Sequence, residues 1–128
     1  FYLLDVPGYG FAAVAQKERE RYRLLVRGLL TRRTTITGVL WLLDLRHDPS
    51  AEDRAHGELL AERGLPVLVA LTKADKLPFG QRRTRVRALQ EMLGMPEEQI
   101  QVTSSTTGEG LPELAASLLA ATTPEGKR

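Results

Sequence analysis

The chain has 128 residues, 42% hydrophobic and 27% charged, with a formal net charge of +2; this is the composition of one ordinary globular domain or a piece of one. It holds no cysteine, which excludes disulfides and thiolate metal sites, and no apolar run of the roughly 18–20 residues that a membrane span needs. Arginine outnumbers lysine fourteen to four, in clusters such as "QKERERYR", "TRR" and "QRRTRVR"; the last has no acidic residue in it, and it reads either as a solvated helix face or as a docking surface for a phosphate-rich partner such as RNA.

In chain order, the first element is a strand, "FYLL". It starts at Phe1 rather than at a methionine, inside an apolar run, which creates the expectation that an upstream part is missing. A helix follows, with Tyr22, Leu25, Val26, Leu29 and Leu30 on one stripe. "GVLWLLDL" is the second strand, with Trp41 expected in the core. The second helix opens at Ser50 as N-cap with Asp53 three residues on, carries Leu59 and Leu60 inward and stops at Gly64. His56 on that helix is expected to face solvent. "PVLVALT" is the third strand. The third helix spans Gln81 to Leu93, with Val86, Leu89 and Leu93 on one side and Gly94 and Pro96 ending it. "QIQVTSS" is the fourth strand, and a last helix carries Leu114, Leu118 and Leu119. Continuous apolar strands alternating with helices predict a parallel sheet covered by helices, its strands buried on both faces.

Ligands bind such sheets at the carboxyl ends of the strands. The four segments there are "DVPGYG", "DLRHDP", "TKADKLP" and "TSSTTGEG". In "TKAD", a carboxylate at Asp75 can accept two parallel hydrogen bonds. Guanine offers such a donor pair, at ring N1 and the exocyclic amine; adenine does not. A site that hydrogen-bonds one ligand can reject an analogue lacking the donor by ~10⁴-fold or more. Lys73 has an apolar stem that can lie across a flat ring. A surface turn would use the same residues. In "DVPG", Asp5 can orient water around a divalent cation, Pro7 stiffens the turn, and Gly8 lets a backbone N–H approach a phosphate. A plain Pro-Gly turn is the alternative. The backbone N–H at Ser105 is placed to donate to the guanine carbonyl oxygen. Arg46 and His47 either shape the edge of the site or contact a partner, or His47 and Pro49 simply hold a loop. With two histidines and no cysteine, no zinc site is expected, and no Ser/His/Asp triad is visible.

"DVPGYGFA", "W...DLRHDPSAED", "LTKADKL" and "TSST", in this order from Phe1 to about Ala121, resemble the EngB (YihA/YsxC) family of small bacterial GTP-binding proteins. The resemblance implies an α/β fold, the three-layer P-loop NTPase fold of a Ras-like G domain with a mostly parallel sheet, N-terminally truncated. It implies a partial G domain over 1–121 and a disordered tail over 122–128. It implies GTP or GDP bound by Asp5, Val6, Pro7 and Gly8, by Thr72, Lys73, Ala74 and Asp75, and by Thr103, Ser104 and Ser105. Mg²⁺ would be reached by Asp5 through water, its direct ligands lying upstream. Residues from Tyr9 to about Lys17 would form a switch. The activity implied is GTP hydrolysis in a cytoplasmic switch for assembly of the large ribosomal subunit, linked to cell division, with ribosomal RNA as partner and no membrane.

Two departures qualify this. The phosphate loop Gly-x-x-x-x-Gly-Lys-[Ser/Thr] is absent from the sequence. Tyr9 stands where Ras-like enzymes place a water-positioning glutamine, so no catalytic residue is assigned. In this fold the strand bearing the phosphate loop lies between "FYLL" and "GVLWLLDL". Its loss would leave unpaired backbone costing ~1–3 kcal/mol per group, so the fragment alone is expected to be poorly stable and unable to hydrolyse GTP. The remaining alternatives are a nucleotide-independent RNA- or ribosome-binding module using "QRRTRVR", and a doubly wound phosphate-receiving regulator.

Overall fold

The computed structural model describes residues 16–32 and 36–122. The expected "FYLL" strand, the Asp5–Gly8 turn and the tail after Thr122 lie outside them. The order is α1 (Gln16–Arg32), β1 (Val39–Asp44), α2 (Ala51–Arg63), β2 (Val67–Thr72), a 3₁₀ turn (Ala74–Lys76), α3 (Phe79–Leu93), a second 3₁₀ turn (Glu97–Gln99), β3 (Ile100–Val102) and α4 (Leu111–Thr122). The described residues divide into two compact units, one holding α1 and α2, the other the three strands, α3 and α4. Among them no helix is long and apolar enough to cross a membrane.

In the first unit, α2 starts as its sequence signals. The Ser50 hydroxyl accepts from the Asp53 N–H at 3.0 Å, and the Asp53 carboxylate accepts from the Ser50 N–H at 2.8 Å, a reciprocal capping box. Two ion pairs join the helices. Arg23 donates from Nε and Nη2 to the two Glu52 oxygens at 3.2 and 2.9 Å, and Arg27 reaches Glu62 at 3.5 Å. Two expectations fail here. Leu25 is 45% exposed, so the inward stripe of α1 is narrower than predicted: Val26 is buried, and Tyr22, Leu29 and Leu30 are half-buried. His56 is buried, not solvent-facing. Its ring lies 5.1 Å from that of Tyr22, and burial lowers its pKa. The signal was available: His56, Leu59 and Leu60 stand at i, i+3 and i+4 and share one face.

In the second unit the sheet is parallel, in the order β1-β2-β3. Val39 pairs with Val67 and Asp44 with Thr72; Leu71 pairs with Val102. That register ends all three strands at one edge. β2 is the core strand, with Val67, Val69, Ala70 and Leu71 buried, as its continuous apolar run predicts. β1 departs from that expectation. Trp41 and Leu43 are buried, but Leu42, on the opposite face by strand alternation, is 60% exposed. α3 begins at Phe79, two residues before its predicted start, and buries Leu89. It ends at Gly94, whose φ of +66° is the left-handed conformation that favours glycine after a helix. β3 is shorter than predicted, because Thr103 to Ser105 leave the strand.

Candidate functional site

Shared strand ends put three polar segments side by side. After β2, Thr72 still belongs to the sheet: its hydroxyl donates to the Leu43 carbonyl at 3.3 Å and its carbonyl accepts from the Leu45 N–H at 3.0 Å. Lys73 then turns the chain. Its φ of 63° and ψ of 35° lie in the left-handed region, where non-glycine residues are uncommon. The turn brings the Ala74 N–H to the Thr103 carbonyl at 3.1 Å, and Ala74 is fully buried. Asp75 follows on the 3₁₀ turn, held on the same side.

The segment after β3 receives it. Thr103 is anchored to β2, its N–H and hydroxyl both donating to the Leu71 carbonyl, at 2.8 and 3.3 Å. The Ser104 hydroxyl is fully buried and donates to Asp75 Oδ1 at 2.7 Å. The same hydroxyl accepts from the Thr107 N–H at 3.1 Å. Backbone bonds from Ser104 N to the Glu109 carbonyl, 3.0 Å, and from Gly108 N to the Ser104 carbonyl, 2.8 Å, close the loop. Ser105 is exposed beside them. At the loop's base Gly110 has a φ of +77°, and a Cβ there would overlap the Val102 carbonyl. Only glycine fits that approach.

The Asp75 carboxyl lies below its ordinary pKa, first because the Ser104 hydroxyl hydrogen-bonds its charged form, and further because of a backbone hydrogen bond and the charges of Lys76 and Arg82, while burial opposes the shift. Asp75 is therefore an ionised acceptor at neutral pH, with one oxygen fixed by Ser104 and the other 4.0 Å from Lys76 Nζ. This is an acceptor pair held at a defined angle.

The segment after β1 adds an element that the sequence reading left open. Asp44 binds Arg46 through both oxygens, from Nε at 3.0 Å and Nη2 at 2.8 Å, and also accepts from the Arg46 N–H at 2.9 Å. The Arg46 side-chain bond, aided by its backbone N–H and the nearby positive charges, holds the Asp44 pKa at about 2, against the opposing effect of burial. Lys73 Nζ stands 3.8 Å from the same carboxylate. Asp44 thus links the Arg46 loop to the lysine of "TKAD". His47 is largely exposed, and its N–H closes a turn to the Asp44 carbonyl at 3.2 Å; Pro49 is buried. Arg85 from α3 fixes this loop from beneath, donating to the Leu45 carbonyl at 2.9 Å and pairing with Asp48 at 2.8 Å. The sequence expectations do not include Asp44 and Arg85 among the residues supporting the site. Asp44 stands at a strand end, as Asp75 nearly does, and that position was the available signal; nothing local marks Arg85.

The structure thus brings together Thr72, Lys73, Ala74, Asp75, Thr103, Ser104 and Ser105. Asp5, Val6, Pro7 and Gly8 lie outside the described residues, as does Tyr9. Among the described residues no group of three or more His, Cys, Asp or Glu side chains could hold a metal ion.

No protein-family model matches the sequence. Curated relatives do. The chain is 41% identical over 119 residues to a probable GTP-binding protein EngB of Gemmatimonas aurantiaca, covering 93% of this chain and 58% of the relative. It is 38% identical over 118 residues to a protein of the same description from Syntrophomonas wolfei, covering 92% and 61%. The chain thus spans about three fifths of the length of the curated relatives it matches. Among solved structures, a probable GTP-binding protein engB superposes with a TM-score of 0.75 at 19% identity, over 90% of this chain and 74% of that one. The apo form of translation elongation factor SelB from Methanococcus maripaludis superposes with a TM-score of 0.69 at 20% identity, over 98% of this chain and 26% of that one. The fold is therefore the α/β fold of the Ras-like G domain, and the chain is similar over most of its length to curated proteins described as probable GTP-binding protein EngB.

Proposed function

We propose that this chain supplies the base-recognition half of a guanine-nucleotide site. Asp75 accepts from guanine N1–H and the exocyclic amine, the stem of Lys73 lies along the base, Thr72 and Ala74 fix the turn, and the backbone at Thr103 to Ser105 closes over the ring, with the Ser105 N–H meeting the carbonyl oxygen. One observation carries this reading: the 2.7 Å bond from buried Ser104 to Asp75, which presents an ionised carboxylate at a fixed angle beside a backbone turn. The similarity of the chain to curated relatives described as probable GTP-binding proteins supports it.

The reading extends to the whole protein containing this sequence. Residues 1–121 form part of a G domain. Asp5, with Val6, Pro7 and Gly8, serves the phosphates and reaches Mg²⁺ through water; the described residues provide no ligand set of their own for that ion. The whole protein hydrolyses GTP to GDP and phosphate, with its catalytic residue unassigned, and acts in the cytoplasm as a switch in large-subunit assembly that bears on cell division. Competition between GTP and ATP for the full protein tests the site. The expected result is displacement of a labelled guanine nucleotide by GTP and GDP, with ATP weaker by ~10⁴-fold. Equal displacement by ATP would refute base recognition by Asp75, and failure to bind the labelled guanine nucleotide at all would favour a nucleotide-independent module.

A further inference from the structure

Two arginines of the arginine-rich run of α3, Arg83 and Arg87, have no part in the proposed nucleotide site. The run's four arginines divide into two kinds. Arg82 donates from Nη1 to both Glu109 oxygens at 2.8 Å, and Arg85 is held by Leu45 and Asp48. Arg83 and Arg87 are exposed and make no hydrogen bond or ion pair among the described residues. They stand four residues apart, one helical turn, about 6 Å along the axis. Both line an open groove of about 1030 Å³ between α3 and the segments around β3.

Phe79 lies in the same groove at the start of α3 and is 81% exposed. The Arg82 guanidinium sits 5.2 Å from the centroid of its ring. The ring is thus backed by a cation on one face, and its exposure leaves the other open to solvent. Gln90 offers the groove an amide with no partner among the described residues. Three glutamates also line the groove. Glu109 is neutralised by Arg82, and Glu91 and Glu97 lie toward and beyond the C-terminal end of α3. The half of α3 that carries Phe79, Arg83 and Arg87 is therefore cationic and aromatic.

We propose that this groove binds single-stranded RNA. A base stacks on the open face of Phe79, and successive phosphates meet Arg83 and Arg87. Aromatic platforms beside cationic grooves bind single strands in this way, and guanidinium groups suit phosphate oxygens because they donate in parallel pairs. An acidic peptide would use the arginines but would leave the phenyl ring without purpose. Gln90 can both donate to and accept from a 2′-hydroxyl, the group that separates RNA from DNA. The proposal does not depend on the guanine site.

The test is fluorescence anisotropy of the full protein with a labelled twelve-nucleotide RNA across a salt series, with and without GDP. Replacing both Arg83→Gln and Arg87→Gln should lower the slope of log K against log salt by about 1.4, at ~0.7 per phosphate contact. Phe79→Ala should weaken binding about tenfold and leave the slope unchanged; Phe79→Trp should retain affinity. Guanine-nucleotide affinity and the urea midpoint should stay at their wild-type values in all variants. DNA of the same sequence should bind more weakly. Unchanged RNA binding in the arginine and Phe79 variants would overturn the proposal. So would equal binding of DNA, or displacement of RNA by poly-glutamate at equal charge. None of these outcomes would bear on the GTP–ATP competition.

Discussion

Gly110→Ala is the substitution most directly tied to the geometry of the site loop. It imposes two separable costs. The left-handed φ of +77° costs an alanine about 1–2 kcal/mol. The new methyl group would also overlap the Val102 carbonyl oxygen and approach its carbon to 3.1 Å, and such overpacking costs about 1–3 kcal/mol more. The expected loss is therefore about 2–5 kcal/mol, a large part of the ~5–15 kcal/mol that holds a domain folded. Gly94→Ala is the control. Its φ of +66° imposes the same backbone strain, but no atom lies within 4 Å of the added carbon, so only the first ~1–2 kcal/mol applies. Both glycines belong to the same unit. Urea unfolding of the full protein with each substitution, read as the midpoint at constant m, measures the difference. Gly110→Ala should also weaken guanine-nucleotide binding, because relief of the clash moves the Glu109 carbonyl away from the Ser104 N–H and so loosens the hydroxyl that holds Asp75. Equal destabilisation by the two substitutions, within about 0.5 kcal/mol, would refute the close approach as the reason for glycine at 110.

Two further outcomes follow from the same geometry. Asp44 has its pKa lowered from 3.8 to about 2 in the fold, so its contribution to stability is complete above pH 3.8 and is lost as pH falls toward 2; the stability difference between wild type and Asp44→Asn, measured by urea unfolding across that range, should be constant above pH 4 and shrink below it. Ser50→Ala removes one half of the capping box and should cost about 1 kcal/mol, while Ser50→Asp should restore most of it; a shift in the urea midpoint reports both.

The alternation of strands and helices was legible because it depends on local pattern. β2 is a continuous apolar run, α2 is bracketed by a capping box and Gly64, and α3 stops at Gly94. Burial within elements was less legible. Leu25 and Leu42 are apolar yet exposed, because a residue's position on a helix or strand face decides burial and composition does not. The burial of His56 is harder to read because histidine is chemically ambivalent, although its spacing to Leu59 and Leu60 marks the buried face. At the site, "TKAD" and "TSS" could be singled out because the donor pattern of guanine demands a carboxylate acceptor. Their joining through Ser104 and Asp75 could not be read, because it depends on residues 29 positions apart returning to one sheet edge. The bond from Arg85 to the Leu45 carbonyl spans 40 residues and has no local sequence signal.

The central claim is that Asp75 reads the guanine edge, and base exchange in Asp75→Asn tests it most directly. Asparagine keeps one acceptor and replaces the other with a donor. That donor would face the exocyclic amine of guanine but would match the carbonyl that xanthine carries at the same position. The full protein with Asp75→Asn should lose GTP affinity by ~10²-fold or more, as expected when a buried polar pairing is mismatched, and should gain affinity for xanthosine triphosphate over wild type. Unchanged preference for GTP over xanthosine triphosphate in the variant would contradict the account.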